Sequence, residues 1–380
     1  KGLENFAGPV HHTARWPEAG VDFTGQRVAV IGTGSSGVQS IPVIAEQAAG
    51  LTVFQRTGNY VIPAHNRPID PAEAAEIKAN YPALRAKASA SFSGNYFPVG
   101  GPSALAASEE ERNREYEARW ATGGLAFMAA YADFMTSEEA NETASEFIRN
   151  KIRGIVKDSA TAELLAPKQL FMCKRLCVGI DYYETYNREN VSLVDVSETV
   201  IDEILPEGVR VGDQVYEADA MVLATGFDAM TGALKRIDIR GVENASLRDL
   251  WEDGPRAYLG LAISKFPNMF IITGPGSPSV LTNMIPSIEQ HVNWITDCLA
   301  HMQGQGLSRV EPEPEAQETW VAHVNEIADL SMRSTCSSWY LGSNVDGKPR
   351  VFMPYIGGFP AYTRKCDEIA AAGYAGFSFG

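Results

Sequence analysis

An α/β fold built on parallel strands is predicted by three observations. Residues 27–31 (Arg-Val-Ala-Val-Ile) form a short apolar run of the kind shown by a strand buried on both faces. The glycine-rich turn Gly32-Thr33-Gly34-Ser35-Ser36-Gly37 follows at once, and residues 38–49 then carry apolar side chains at helical spacing. Leu51 to Phe54 supplies a second apolar strand, completing the βαβ context that a Gly-x-Gly-x-x-Gly match requires.

The remaining elements follow in order. Proline and polar residues over 63–71 break the pattern, and 71–166 is Ala- and Glu-rich with helical periodicity, interrupted at 94–102. This predicts a mostly helical insertion, placed at 66–170, inside a nucleotide domain made of 21–65 and 171–226. Strand patterns return at 191–196, 209–211 and 220–224, the last running into Ala224-Thr225-Gly226-Phe227-Asp228. Residues 269–273 read as another buried strand, leading into Gly274-Pro275-Gly276-Ser277-Pro278-Ser279, and a helix is expected from about 286 to 302. The Gly- and aromatic-rich tail, 339–358, reads as loop rather than packed core.

Composition limits the function. The chain has 380 residues, 32 Lys and Arg against 47 Asp and Glu, and a formal charge of −15. Nucleic acid and anionic membrane both need basic surface, so neither is an expected partner. No apolar run approaches the roughly 20 residues of a membrane-spanning helix. Five cysteines, few and odd in number, suit a reducing cytoplasm. Cys173 and Cys177 lie four apart without further ligands to complete a zinc set, so no metal is expected. The chain opens at Lys1 in loop-like sequence and reads as part of a longer one.

In the glycine turn, Gly32 permits the tight bend, Gly34 lets the backbone approach a pyrophosphate, and Gly37 allows close helix–strand packing. Thr33, Ser35, Ser36 and Gln39 are grouped with it as cofactor-contacting residues. A diphosphate there would meet free N–H groups and the helix dipole. The second strand ends in Gln55-Arg56-Thr57. A carboxylate at this point holds the 2′-hydroxyl of NAD, whereas an Arg accommodates a 2′-phosphate, so Arg56 and Thr57 point to NADP.

Ahead of the turn lies Phe6-Ala-Gly8-Pro-Val-His-His12-Thr-Ala-Arg-Trp16-Pro17, read as F-x-G-x-x-x-H-x-x-x-W-P. With Arg56-Thr57, the Ala224–Asp228 and Gly274–Ser279 segments, Lys174-Arg175, and Ser338-Trp339-Tyr340, the chain resembles type I Baeyer–Villiger monooxygenases over nearly all its length. The resemblance implies two Rossmann-like domains, for FAD and NADP, the FAD one incomplete because only one Gly-x-Gly-x-x-Gly is present. It also implies that NADPH reduces FAD, O2 adds as a C4a-peroxyflavin, and a hydrophobic ketone becomes an ester or lactone, with sulfides as further substrates. Arg175 falls at the family's active-site Arg, and Lys174 at a ligand of the NADP 2′-phosphate. Trp339 resembles a residue that folds over NADP, Asn283-Met284 a segment passing the flavin, and Ser279-Val280-Leu281 a pocket loop. His12 and Trp16 take a structural or hinge role in a linker, 1–20, and 227–380 completes the FAD domain and substrate loop. The implied partner is an N-terminal FAD-binding segment, in the same or a separate chain.

Two other readings compete. One is a flavin monooxygenase that mainly oxidises sulfur or nitrogen, against which Trp16-Pro17 and Arg175 weigh. The other is a catalytically silent NADP-binding fragment or regulatory subunit.

Overall fold

The computed structural model describes all 380 residues and divides into two units. The first comprises Lys1–Arg67 and Pro98–Phe227; the second comprises Pro68–Phe97 and Asp228–Gly380.

The first unit is organised by a five-stranded, wholly parallel sheet. Its strands are β1 (Val10–His12), β2 (Arg27–Ile31), β3 (Gly50–Gln55), β6 (Val191–Asp195) and β10 (Ala220–Leu223), in the spatial order β1-β10-β2-β3-β6. From β2 the chain moves to β3 on one side and returns as β10 on the other. The carboxyl end of β2 is thus the topological switch point, where open α/β sheets bind their ligands. Val28, Ala29, Val30, Val53 and Phe54 are buried, as a strand covered on both faces requires. Helix Ser35–Gln47 covers one face through Val38, Ile41, Ile44 and Ala45, spaced three and four apart on one stripe. Val38, Ile41 and Ile44 each contribute about 1.5–3 kcal/mol on burial.

The other strands of this unit are β4 (Val61–Pro63) with β5 (Cys177–Gly179), and the antiparallel meander β7 (Ile201–Leu205), β8 (Gly208–Val211) and β9 (Gln214–Glu217). Arg27 ties the start of β2 to that of β10, donating from its backbone (2.8 Å) and guanidinium (2.7 and 3.1 Å) to Asp219.

The second unit is mainly helical. Helices Met284–Gly304, Pro314–Asp329 and Phe359–Ala371 enclose Trp294, Cys298, Trp320, Val324, Tyr362 and Cys366, beside a two-stranded pair of β11 (Val310–Pro312) and β12 (Phe377–Phe379).

Four expectations change. Residues 1–20, expected as an interdomain linker, include the edge strand β1 (Val10–His12) against β10. The helical stretch 66–170 is split: helices Pro71–Ala79 and Tyr81–Ser89 belong to the second unit, and Glu109–Thr122, Glu138–Ile155 and Ser159–Leu165 to the first. Residues 269–273 form no strand, since a strand needs a hydrogen-bonded ladder and only an isolated bridge joins Ala262 to Phe270. The tail has a loop backbone but is packed, with Tyr340, Phe352, Met353 and Tyr355 all buried. Aromatics in irregular backbone bury as readily as those in helices, and periodicity does not register them.

Gly32 is a residue that this fold holds to glycine. Its φ is +106°, and a Cβ there would lie 2.5 Å from the Ala224 carbonyl oxygen. Gly32→Ala is expected to lower stability by roughly 2–4 kcal/mol, from strain plus overpacking. Urea unfolding of the two proteins checks this, and an unchanged midpoint would contradict it.

Candidate functional site

The site begins where the backbone must bend without side chains. A Cβ on Gly37 would stand 2.3 Å from the Gly32 carbonyl, whereas one on Gly34 would meet nothing within 4 Å. Gly34 therefore faces open space at the helix start, the arrangement needed for close approach of a ligand. Its backbone N-caps helix Ser35–Gln47, which has no side-chain cap and no acidic residue in its first turn. The helix dipole there is left for an anion.

Thr33 is buried and spends its hydroxyl inside the protein, donating to the Thr57 carbonyl at 3.1 Å. It joins the turn to the end of β3. Asn59 adds a second tie, its amide donating to the Thr33 carbonyl at 2.6 Å, and its own carbonyl accepts from Tyr183 Oη at 3.1 Å. Asn59 was missed by sequence reasoning, because a single polar residue after Arg-Thr-Gly carries no periodic signal. The Gln39 amide folds back to the Ser35 carbonyl at 3.0 Å. Gln39 lies on an open groove of about 680 Å³ lined also by Glu46, Ile180, Asp181 and Glu184. Ser35 and Gly34 are exposed and Ser36 is half-buried.

A cationic group stands beside this turn. Arg56, at the end of β3, and Arg175 are exposed, while Lys174 is half-buried. Burial depresses the Lys174 ammonium, and the Arg56 guanidinium depresses it further. Two cations close together disfavour each other's charge, and an anion between them would remove that penalty. The Cys177 thiol reports the same neighbourhood: burial pushes it up to about 11, against the charges of Arg175 and Lys174 and a bond from Ser35. The turn, Arg56, Lys174 and Arg175 are thus one cluster in the first unit.

The Phe–Gly–His–Trp-Pro segment is packed against the same sheet. A Cβ on Gly8 would lie 2.1 Å from the Asp219 carbonyl, which accounts for the glycine. His12 Nδ1 accepts the Ala14 amide at 3.0 Å, and its ring meets Phe227 edge-on at 6.4 Å. Trp16 packs at 5.7 Å from His11 and 6.2 Å from buried Phe23.

The other singled-out residues lie in the second unit. Ser279–Leu281 form a 3₁₀ turn, with Ser279 buried at φ +43° and Val280 and Leu281 half-buried. Asn283 caps helix Met284–Gly304, accepting the Ile285 amide at 3.2 Å, and Met284 opens it. Trp339 is half-buried, its ring 4.3 Å from that of Tyr340. Met353 connects these loops, donating to the Tyr340 carbonyl at 3.0 Å and accepting the Gly276 amide at 2.8 Å.

Fold and turn together define a broad class, the dinucleotide-binding α/β proteins. Comparison with known proteins narrows it. No protein-family model matches the chain. A Baeyer–Villiger monooxygenase of Pseudooceanicola batsensis is 43% identical over 377 residues, covering 98% of this chain and 68% of its own length. A phenazine N-monooxygenase of Lysobacter antibioticus is 40% identical over 379 residues, covering 99% and 69%. A solved structure of oxidized steroid monooxygenase bound to NADP matches with a TM-score of 0.93 at 49% identity, over 100% of this chain and 71% of that one. The chain belongs to the Baeyer–Villiger monooxygenase family.

One buried group makes a pH prediction. Burial lowers the His291 imidazole to about 4 from an ordinary value of 6.5. The unfolded chain therefore takes up this proton first as pH falls, so the contribution is complete above pH 6.5 and is lost progressively toward pH 4. It amounts to something on the order of 3 kcal/mol. The stability lost by the wild type between pH 7 and 4.5 should exceed that lost by His291→Gln, and equal losses would contradict the assignment.

Proposed function

We propose that this chain carries the NADPH-handling and oxygenating residues of a FAD-dependent monooxygenase that inserts an oxygen atom beside the carbonyl of a hydrophobic ketone. The product is an ester or lactone. The observation that carries this reading is the cluster of Arg56, Lys174 and Arg175 beside a glycine turn that leaves Gly34 facing open space.

The residues present fit NADP. The Arg56 guanidinium offers a planar fork to a 2′-phosphate, and Lys174 adds a point charge. A bound dianion offsets the burial, and the Arg56 repulsion added to it, that depress the Lys174 ammonium. The turn amides take the diphosphate, and the Trp339 indole N–H is suited to the nicotinamide ribose. Flavin supplies, when bound, a reduced ring that takes up O2 and delivers one of its oxygen atoms. Asn283 and Met284 hold that ring from the start of their helix, and Ser279, Val280 and Leu281 shape the space for the ketone. Arg175 supplies permanent positive charge where negative charge builds on the delivered oxygen, the preorganised electrostatic mode of catalysis. His12 and Trp16 keep the geometry of the first unit and exchange no proton with substrate.

A second reading, oxidation of a ring nitrogen, is favoured by the similarity to the Lysobacter phenazine N-monooxygenase. Sulfide oxygenation is a further outcome available to the same chemistry. Competition between a cyclic ketone, a thioether and a phenazine separates these. Ester as the main product supports the proposal, and N-oxide or sulfoxide alone would overturn it.

Arg56→Ala and Lys174→Ala should each weaken NADPH use by about 10–100-fold while changing NADH use little, read from flavin reduction against cofactor concentration. Equal losses for both cofactors would remove the 2′-phosphate assignment. Arg175→Ala should leave flavin reduction near the wild-type rate and lower ketone oxygenation by about 100-fold or more. A normal ester yield would refute its role.

A further inference from the structure

Helix Met284–Gly304 buries an imidazole that the nucleotide turn and the cationic cluster do not use. His291 is wholly buried and bonded at both ring nitrogens: Nδ1 accepts the Thr273 amide at 2.9 Å, and Nε2 lies 3.0 Å from Tyr362 Oη. An amide N–H can only donate, so Nδ1 is unprotonated and the ring proton sits on Nε2. Nε2–H then donates to Tyr362 Oη, whose own proton goes to the Leu259 carbonyl at 2.7 Å. The relay has one direction, set by chemistry at each end.

What it holds is unusual backbone. Leu259 and Thr273 sit at φ +55° and +54°, left-handed conformations that non-glycine residues keep only where neighbours enforce them. The Thr273 carbonyl in turn accepts Ser279 Oγ–H at 3.2 Å, and Ser279 itself lies at φ +43°. The far side of the same loop is tied separately, by Trp320 Nε1–H to the Gly276 carbonyl at 3.0 Å. Thr273 is therefore one point through which helix Met284–Gly304 grips the turn Ser279–Leu281, another being Thr282 Oγ1, which donates to the Ser279 carbonyl at 3.0 Å and lies 2.7 Å from Ser287 Oγ.

We propose that His291 is a positioning residue for substrate recognition. As a neutral, Nε2-protonated imidazole it fixes the Thr273 backbone, and through the Thr273 carbonyl it sets Ser279 and the Val280–Leu281 turn in the conformation that receives the ketone. This rests on the reading above, in which that turn lines the ketone pocket. A histidine serving only to fill volume would be replaceable by any side chain of similar size. One serving as acceptor and donor together needs a side chain that does both, such as glutamine, whose Oε1 accepts and whose Nε2–H donates.

The test compares wild type, His291→Leu and His291→Gln as FAD-loaded holoenzyme. Three quantities are read: KM and kcat for a cyclic ketone, the rate of flavin reduction by NADPH, and amide hydrogen exchange over residues 273–281. Removing the acceptor leaves the Thr273 N–H unpaired, so His291→Leu should raise ketone KM by about tenfold and speed exchange at 273–281, with reduction unchanged. His291→Gln should restore KM and exchange to within about twofold of wild type. An unaltered KM and exchange pattern in His291→Leu overturns the proposal, as does a glutamine variant as impaired as the leucine one. Should His291→Leu fail to fold, Tyr362→Phe removes the hydroxyl that orients Nε2–H; faster exchange at 273–281 then supports the relay and unchanged exchange overturns it. If the wild type oxygenates no ketone, the pocket reading fails and this substrate role falls with it. The exchange data alone then decide whether His291 clamps the turn.

Discussion

Strand β10 can lie where it does only because three residues near it lack a Cβ. Gly8 brings the incoming chain against the Asp219 carbonyl just before the strand, and Gly32 brings the nucleotide turn against the Ala224 carbonyl just after it. Gly37 then lets the first helix close on Gly32. Overpacking here would displace β1, β2 or the helix, so the sheet order and the switch point depend on these approaches together. The rare segment ahead of the turn and the common turn itself are thus two sides of one construction, meeting across a single strand.

Electrostatics then decides what this construction can hold. The chain as a whole repels anions, yet Arg56, Lys174 and Arg175 stand together beside a helix start with no acidic residue in its first turn. Burial, and the Arg56 charge after it, depress the Lys174 ammonium. In the proposed reading an arriving anion offsets both effects, and an arginine and a lysine would then do different work, the fork reading shape and the ammonium following charge. In the second unit the corresponding device is neutral. His291 and Tyr362 hold backbone by directed hydrogen bonds and place no charge near the turn Ser279–Leu281.

Much of this was legible in the residues and some was not, for physical reasons. The βαβ unit was readable because a buried parallel strand, a glycine turn and an amphipathic helix each impose a local pattern. Arg56 was readable because the end of the second strand is a fixed place relative to the turn. Residues 269–273 misled because an apolar run signals burial, whereas a strand also needs a partner that the run itself does not name. The segment 1–20 misled in the opposite way: three residues of edge strand are too few for periodicity to show. Thr33 was grouped with the cofactor contacts, but its hydroxyl is turned inward to Thr57. Asn59 and the His291 relay are long-range polar ties, and no local pattern announces those.

Oxygen transfer to a ketone, as proposed for this chain's cations and loops, is read most directly by supplying the FAD-loaded holoenzyme with NADPH, ¹⁸O2 and a cyclic ketone and weighing the product by mass spectrometry. A lactone carrying one ¹⁸O atom, formed at one product per NADPH consumed, is the expected result. NADPH consumption that yields hydrogen peroxide and leaves the ketone unchanged would contradict it.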